Sequence, residues 1–114
     1  MDYNVVSSRN FENEFKRLFK KYPSLKKDFY KLETELKNGE SFGASIGKNA
    51  FKIRLAVKSK GKGKRGGLRV ITYLESHFII KDMTTVFMIS IYDKSETASL
   101  SNSEIKKLIE SRNQ

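Results

Sequence analysis

Residues 51–73 read FKIRLAVKSKGKGKRGGLRVITY. Apolar residues alternate with polar ones from Phe51 to Val57, which is the period of a β-strand with one buried face. A glycine-rich loop over residues 61–67 separates this strand from a second apolar run over residues 68–75. Two such runs joined by a short loop predict a β-hairpin at the centre of the fold.

The remaining elements follow from the spacing of apolar residues. Residues 3–6 and 85–92 form apolar runs that predict a first strand and a last, central strand. Aromatic residues and leucines recur at helical spacing over residues 11–22 and again over 25–36, with Pro23 between the two stretches. This pattern predicts two adjoining amphipathic helices that form a helical hairpin.

The C-terminal segment carries a helix start signal. Ser101 and Glu104 have the S-x-x-E spacing of a capping box, and Leu100 and Ile105 are placed as a hydrophobic staple. The predicted order is β-α-α-β-β-β-α. We therefore expect one α+β domain over residues 1–114, in which the helical hairpin and the other helix cover one face of an antiparallel sheet and the opposite face is basic.

Basic residues are concentrated in one stretch of the chain. Residues 52–69 hold eight lysines or arginines and no acid, and so supply +8 of the net charge of +10. These residues are Lys52, Arg54, Lys58, Lys60, Lys62, Lys64, Arg65 and Arg69. A field this concentrated favours a polyanion such as nucleic acid. The alternative is a solvated surface loop.

Composition excludes several kinds of site. The chain has no cysteine, which rules out disulfides, thiolate zinc sites and cysteine nucleophiles. His77 is its only histidine, so we expect no multi-histidine metal site, and we predict neither a metal nor a cofactor. The N-terminus lacks a signal-peptide pattern, and the longest apolar run, Val86–Ile91, is too short to span a bilayer. We therefore expect a cytoplasmic protein that does not bind a membrane.

Four cations are candidates for an anion site. Alternation places Lys52 and Arg54 together on the face away from the core. Arg69 joins them if its side chain points to the same face, and Lys94 ends the last strand at the same end of the sheet. Like charges on neighbouring strands destabilise the fold unless an anion balances them. The alternative is that these side chains extend separately into water.

Further residues are candidates for contacts with RNA. The loop cations suit a nucleic-acid backbone, although their order does not match a nucleotide-binding glycine loop. Two strand tyrosines can stack on bases, or equally serve as core rings with their hydroxyls at the rim. The candidates are Lys58, Lys60, Lys62, Lys64, Arg65, Tyr73 and Tyr92.

Segments 51–56, 61–73, 91–96 and 100–105 resemble the RelE/HigB family of bacterial toxins, specifically its HigB-like branch. The resemblance extends to the element order over nearly the whole chain. It implies a RelE-like domain and an activity as a ribosome-dependent mRNA endonuclease, in which the ribose 2′-OH attacks the adjacent phosphorus in the ribosomal A site. The implied partners are the ribosome with its rRNA and mRNA, and a helix-turn-helix antitoxin similar to HigA.

The same resemblance implies catalytic roles. The basic pair of the family matches Lys52 and Arg54, its phosphate-stabilising arginine matches Arg69, and its basic residue after the last strand matches Lys94. RelE-type members often place the general base at the position of Arg54, but arginine almost never gives up its proton, so Lys52 is a reasonable candidate for the base. The catalytic tyrosine of some members is absent, and Leu100 lies near its position.

Two other functions remain open. ParE-like relatives share the fold and poison DNA gyrase by binding it without cleaving RNA. A nucleic-acid-binding module without catalysis would also account for the cations. The concentration of cations favours the RNA nuclease over both.

Overall fold

The computed structural model describes residues 3–40, 42–61, 63, 66–77 and 83–114. A short 3₁₀ turn, Lys58–Lys60, lies between two of the strands. In chain order the other elements are β1 (Tyr3–Ser7), α1 (Arg9–Lys21), α2 (Leu25–Lys37), β2 (Ala44–Gly47), β3 (Ala50–Leu55), β4 (Leu68–His77), β5 (Met83–Asp93) and α3 (Asn102–Glu110). The predicted α+β class is confirmed.

The five strands form one mixed sheet in the order β1-β5-β4-β3-β2. Strands β2 to β5 are a meander of antiparallel neighbours, whereas β1 pairs with β5 in parallel. The expectation of a purely antiparallel sheet was therefore wrong. A tight turn cannot join two parallel neighbours, so β1 and β5 need a long connection. The chain leaves β1 at one edge, passes through the helical hairpin to β2 at the other edge, and reaches β5 through the meander.

Strand β2 lies in a segment where the sequence predicted none. The segment contains two glycines, which weaken strand propensity, and the strand is set by its pairing with β3. Lys48 and Asn49 both have positive φ, as in a type I′ turn between two antiparallel strands. Gly43 is also required, because a Cβ there would lie 2.3 Å from the carbonyl oxygen of Lys52.

The helical hairpin packs on one face of the sheet, as predicted. Helix α1 is capped by Ser8, whose hydroxyl oxygen accepts a hydrogen bond from the Phe11 amide at 3.1 Å. The apolar stripes meet sheet residues such as Leu55 and Val70. Phe19 departs from the predicted core and is 39% exposed. The buried members of the stripes are Phe11, Leu18, Tyr22, Leu25, Leu32 and Leu36.

Helix α3 lies on the opposite face, which corrects the expectation that all helices share one face. Leu108 and Ile109 pack there against a second buried cluster that includes Ile71, Phe87 and Ile89. Strands β4 and β5 are apolar on both faces, so each face needs a cover. The basic face is therefore partly covered by a helix.

Helix α3 is fixed at both ends. The predicted capping box is present: the Glu104 amide donates to the Ser101 hydroxyl at 3.2 Å, and the Ser101 amide donates to the Glu104 carboxylate at 3.0 Å. At the other end the Arg112 guanidinium binds both carboxylate oxygens of Glu75, at 2.9 and 3.0 Å. None of the helices in the described ranges is long and apolar enough to cross a membrane.

Candidate active site

Three polar side chains stand in one row across the sheet. Arg54 on β3 is opposite Arg69 on β4, and Arg69 is opposite Tyr92 on β5. Neighbouring strands are about 4.8 Å apart, so the three residues are adjacent on one face. Lys52 precedes Arg54 by two residues and lies on the same face. The structure thus brings Lys52, Arg54 and Arg69 together.

The three cations differ in exposure. Arg54 is exposed, Lys52 is half-buried, and Arg69 is only 3% exposed. The Arg69 guanidinium donates a hydrogen bond to the Leu68 carbonyl oxygen at 3.2 Å. Its charge therefore lies beneath the surface that Arg54 presents, whereas the sequence analysis placed it on an open face.

Lys94 lies at the same end of the sheet as this row. It follows β5 in a turn whose first carbonyl, that of Asp93, accepts hydrogen bonds from the Glu96 and Thr97 amides, both at 2.9 Å. The Lys94 side chain is exposed. The residue is two positions beyond Tyr92, so it borders the row along the strand direction.

A buried network holds this end of the molecule together. The Asp93 side chain is fully buried and accepts hydrogen bonds from the Tyr22 hydroxyl and from the Ser95 amide and hydroxyl. Its remaining partner is the Lys60 ammonium, whose side chain is 10% exposed. Lys60 is therefore occupied inside the protein and does not join the cation row, because a buried carboxylate requires a compensating cation.

The network perturbs two titrating groups. Burial alone would raise the pKa of Asp93, but the hydrogen bonds from Lys60, Tyr22 and Ser95 outweigh it and hold that pKa well below its usual range. The hydrogen bond to Asp93, helped by burial, raises the pKa of Tyr22 to about 12. Asp93 is thus an anion and Tyr22 a neutral donor throughout the physiological range.

The two candidate stacking tyrosines are packed within the protein. Tyr92 is 5% exposed, and burial raises the pKa of its phenol despite the neighbouring Arg69. Tyr73 is half-buried, with its ring 6.4 Å from that of Phe87 and 5.1 Å from the Arg112 guanidinium carbon. Their packing agrees with the alternative interpretation, that of core rings.

The connection between β3 and β4 carries an exposed cation near its start. Lys58 is exposed, and its backbone amide donates to the Asp28 carboxylate at 3.1 Å. At the far end Gly67 packs so closely that a Cβ there would lie 2.0 Å from the Leu55 carbonyl oxygen. A side chain at position 67 would therefore prevent the backbones at Gly67 and Leu55 from lying this close together. The predicted contacts Lys62, Lys64 and Arg65 lie outside the described residues.

A pocket beside the cations had no counterpart in the sequence analysis. It has a volume of about 200 Å³, and Lys52, Ile71 and Tyr92 are among the residues that line it. Its other walls come from β2 and from the start of α3. Five separate segments build it, so no local pattern could predict it.

Comparison with known proteins finds a solved structure of similar fold. No family model matches the sequence. A solved structure of a double mutant of the E. coli toxin RelE in the free state aligns over 99% of this chain and 96% of its own, with a TM-score of 0.54 and 16% identity. The predicted resemblance in architecture is confirmed, although its assignment to the HigB-like branch stays a prediction. The chain has a RelE-like fold.

Proposed function

We propose that this protein is the toxin of a toxin–antitoxin pair and cleaves translated mRNA in the ribosomal A site. The observation that carries the proposal is the convergence of Lys52, Arg54 and Arg69 on one face of a RelE-like fold. Two arginines directly opposite each other give this face a positive potential that favours an anion. A phosphate of the RNA backbone is the anion that fits this setting.

The proposed reaction needs neither metal nor cofactor. The ribose 2′-OH attacks the adjacent phosphorus, the bond from phosphorus to the 5′-oxygen breaks, and a 2′,3′-cyclic phosphate forms. The 2′-OH loses a proton and the departing 5′-oxygen gains one. Negative charge grows on the phosphate oxygens meanwhile, and cations already held in place stabilise it.

The four cations take different roles in this reaction. Lys52 accepts the proton from the 2′-OH in a step that requires its neutral amine, since the other candidate at the strand pair, Arg54, does not give up its proton. Arg54 binds the phosphate directly because it is exposed. Arg69 contributes its charge from beneath. Lys94 protonates the departing oxygen from the end of β5.

The remaining cations would bind RNA outside the cleaved bond. Lys58 would contact mRNA or rRNA phosphates, and we propose the same role for the loop residues Lys62, Lys64 and Arg65. We further propose a helix-turn-helix antitoxin similar to HigA as the inhibitory partner. The place of action is the cytoplasm, where ribosomes translate mRNA.

Brief induction of the protein in bacteria is expected to stop growth and to produce new mRNA ends. Mapping of transcript ends should find cuts at in-frame positions inside translated regions and none in untranslated ones, because cleavage requires the ribosome. Growth arrest with intact transcripts and broken DNA would instead support a gyrase poison. Normal growth, together with salt-dependent RNA binding, would support a non-catalytic module.

A further inference from the structure

The pocket beside Lys52 has the size and lining of a site for one flat ring. Its volume of about 200 Å³ is below the roughly 300–1,000 Å³ of pockets for drug-sized ligands. The apolar side chains of Ile46 and Leu100 line it, together with Tyr92. Such surroundings suit the faces of an aromatic heterocycle.

Polar groups stand at the part of the pocket formed by the start of α3. Asn102, the first residue of the helix, and Ser99 both line it. An amide side chain offers two donors and one acceptor oxygen in a fixed plane, which matches the edge of a base. A serine hydroxyl can donate or accept. These are the groups that distinguish one base from another.

The position of the pocket relative to the proposed chemistry determines which base it would take. Lys52 lines the pocket and is the group assigned to the attacking 2′-OH. The base of a nucleotide is attached to the carbon next to the one that bears the 2′-OH. The base on the 5′ side of the cleaved bond therefore lies next to Lys52 when the hydroxyl does.

The geometry points to a nucleobase pocket that reads the nucleotide on the 5′ side of the cleaved phosphodiester, with Asn102 as its main specificity determinant. This inference rests on the proposed function and adds to it the base preference of the enzyme. Asn102 contacts the base edge and not the phosphate, so it selects among substrates and takes no part in proton transfer.

The test compares cleavage of four ribosome-bound mRNAs that differ only in the base on the 5′ side of the cut. The unmodified protein is expected to favour one base by about tenfold or more in kcat/KM, the discrimination of one good edge contact. Asn102→Ala should reduce that preference to about threefold or less. Asn113→Ala, which changes an exposed asparagine at the other end of the same segment, should leave the preference unchanged.

Equal base preference in Asn102→Ala and in the unmodified protein would overturn the pocket assignment and leave the nuclease proposal intact. A protein that cleaves none of the four mRNAs would instead contradict the proposed function. In that case NMR with uncleavable 2′-deoxy trinucleotides still tests the pocket without ribosomes. Shifts of the Ile46, Leu100 and Ile105 methyl signals would support it, and unchanged methyl signals at saturating trinucleotide would refute it.

Discussion

Arg54→Gln is expected to lower the rate constant for mRNA cleavage on the ribosome by about 10²–10³-fold, the usual effect of removing one fixed group that stabilises transition-state charge. Arg54 is exposed, so the substitution disturbs no core packing. The free energy of unfolding should change by no more than about 0.5 kcal/mol. Single-turnover cleavage of a reporter mRNA on programmed ribosomes measures the rate, and relief of growth arrest gives the result in cells.

A second variant separates the charge of Arg69 from its packing. Arg69→Met keeps most of the side-chain volume at a site that is 3% exposed. An apolar side chain of similar volume preserves most of the packing, and urea unfolding measures any stability lost with the charge. We therefore expect a folded protein whose cleavage rate falls as far as that of Arg54→Gln, because the lower cation also stabilises the phosphate.

The matched control is Arg9→Gln, which removes the same charge from an exposed arginine at the start of α1. Its cleavage rate should remain within about twofold of the unmodified protein, a free-energy change of about 0.4 kcal/mol that is typical of a surface position. Equal losses in Arg9→Gln and Arg54→Gln would mean that net charge alone matters. The assignment of Arg54 to the phosphate would then be wrong.

Asp93→Asn is expected to lower the free energy of unfolding by about 3–5 kcal/mol, because it leaves the buried Lys60 ammonium without its counter-charge. The same change also weakens the hydrogen bond from the Tyr22 hydroxyl. Urea unfolding at neutral pH measures the loss. Glu96→Gln is the matched control, since Glu96 lies in the same turn and its side chain forms an exposed ion pair with Arg17. That pair contributes at most about 1 kcal/mol.

The effect of Asp93 has a definite pH dependence. Its pKa is lowered in the folded state from an ordinary value of 3.8. A group of this kind stabilises the fold fully above its unfolded pKa, and the contribution is lost as pH falls toward the folded pKa. The stability difference between the unmodified protein and Asp93→Asn should therefore be constant near neutrality and shrink below about pH 4. A difference that grows in acid would contradict the network.

Local patterns in the sequence were sufficient for the three helices, for every strand except β2, and for the direction of two of the cations. Alternation along 51–57 fixes the direction of Lys52 and Arg54, and helical spacing identifies both stripes of the hairpin. The capping box at Ser101 is likewise a short-range signal. In each case the physical cause acts over a few residues, so the sequence alone contains it.

The features that the sequence did not predict depend on contacts between distant segments. The parallel pairing of β1 with β5 joins the two ends of the chain. The burial of Lys60 depends on Asp93, which is 33 residues away. Arg69 looks like an exposed strand residue by alternation, and only the packing of its neighbours covers it. The pocket beside Lys52 combines five segments in the same way.

The most direct test of the central claim is a cleavage assay with purified ribosomes and two mRNAs that differ at a single sugar. One carries a ribose and the other a 2′-deoxyribose on the 5′ side of the cleaved bond. If the converging cations promote attack by the 2′-OH, the first mRNA is cleaved and its new end carries a 2′,3′-cyclic phosphate. The second mRNA stays intact, because it lacks the attacking hydroxyl. Equal cleavage of both mRNAs, or cleavage of neither, would contradict the account.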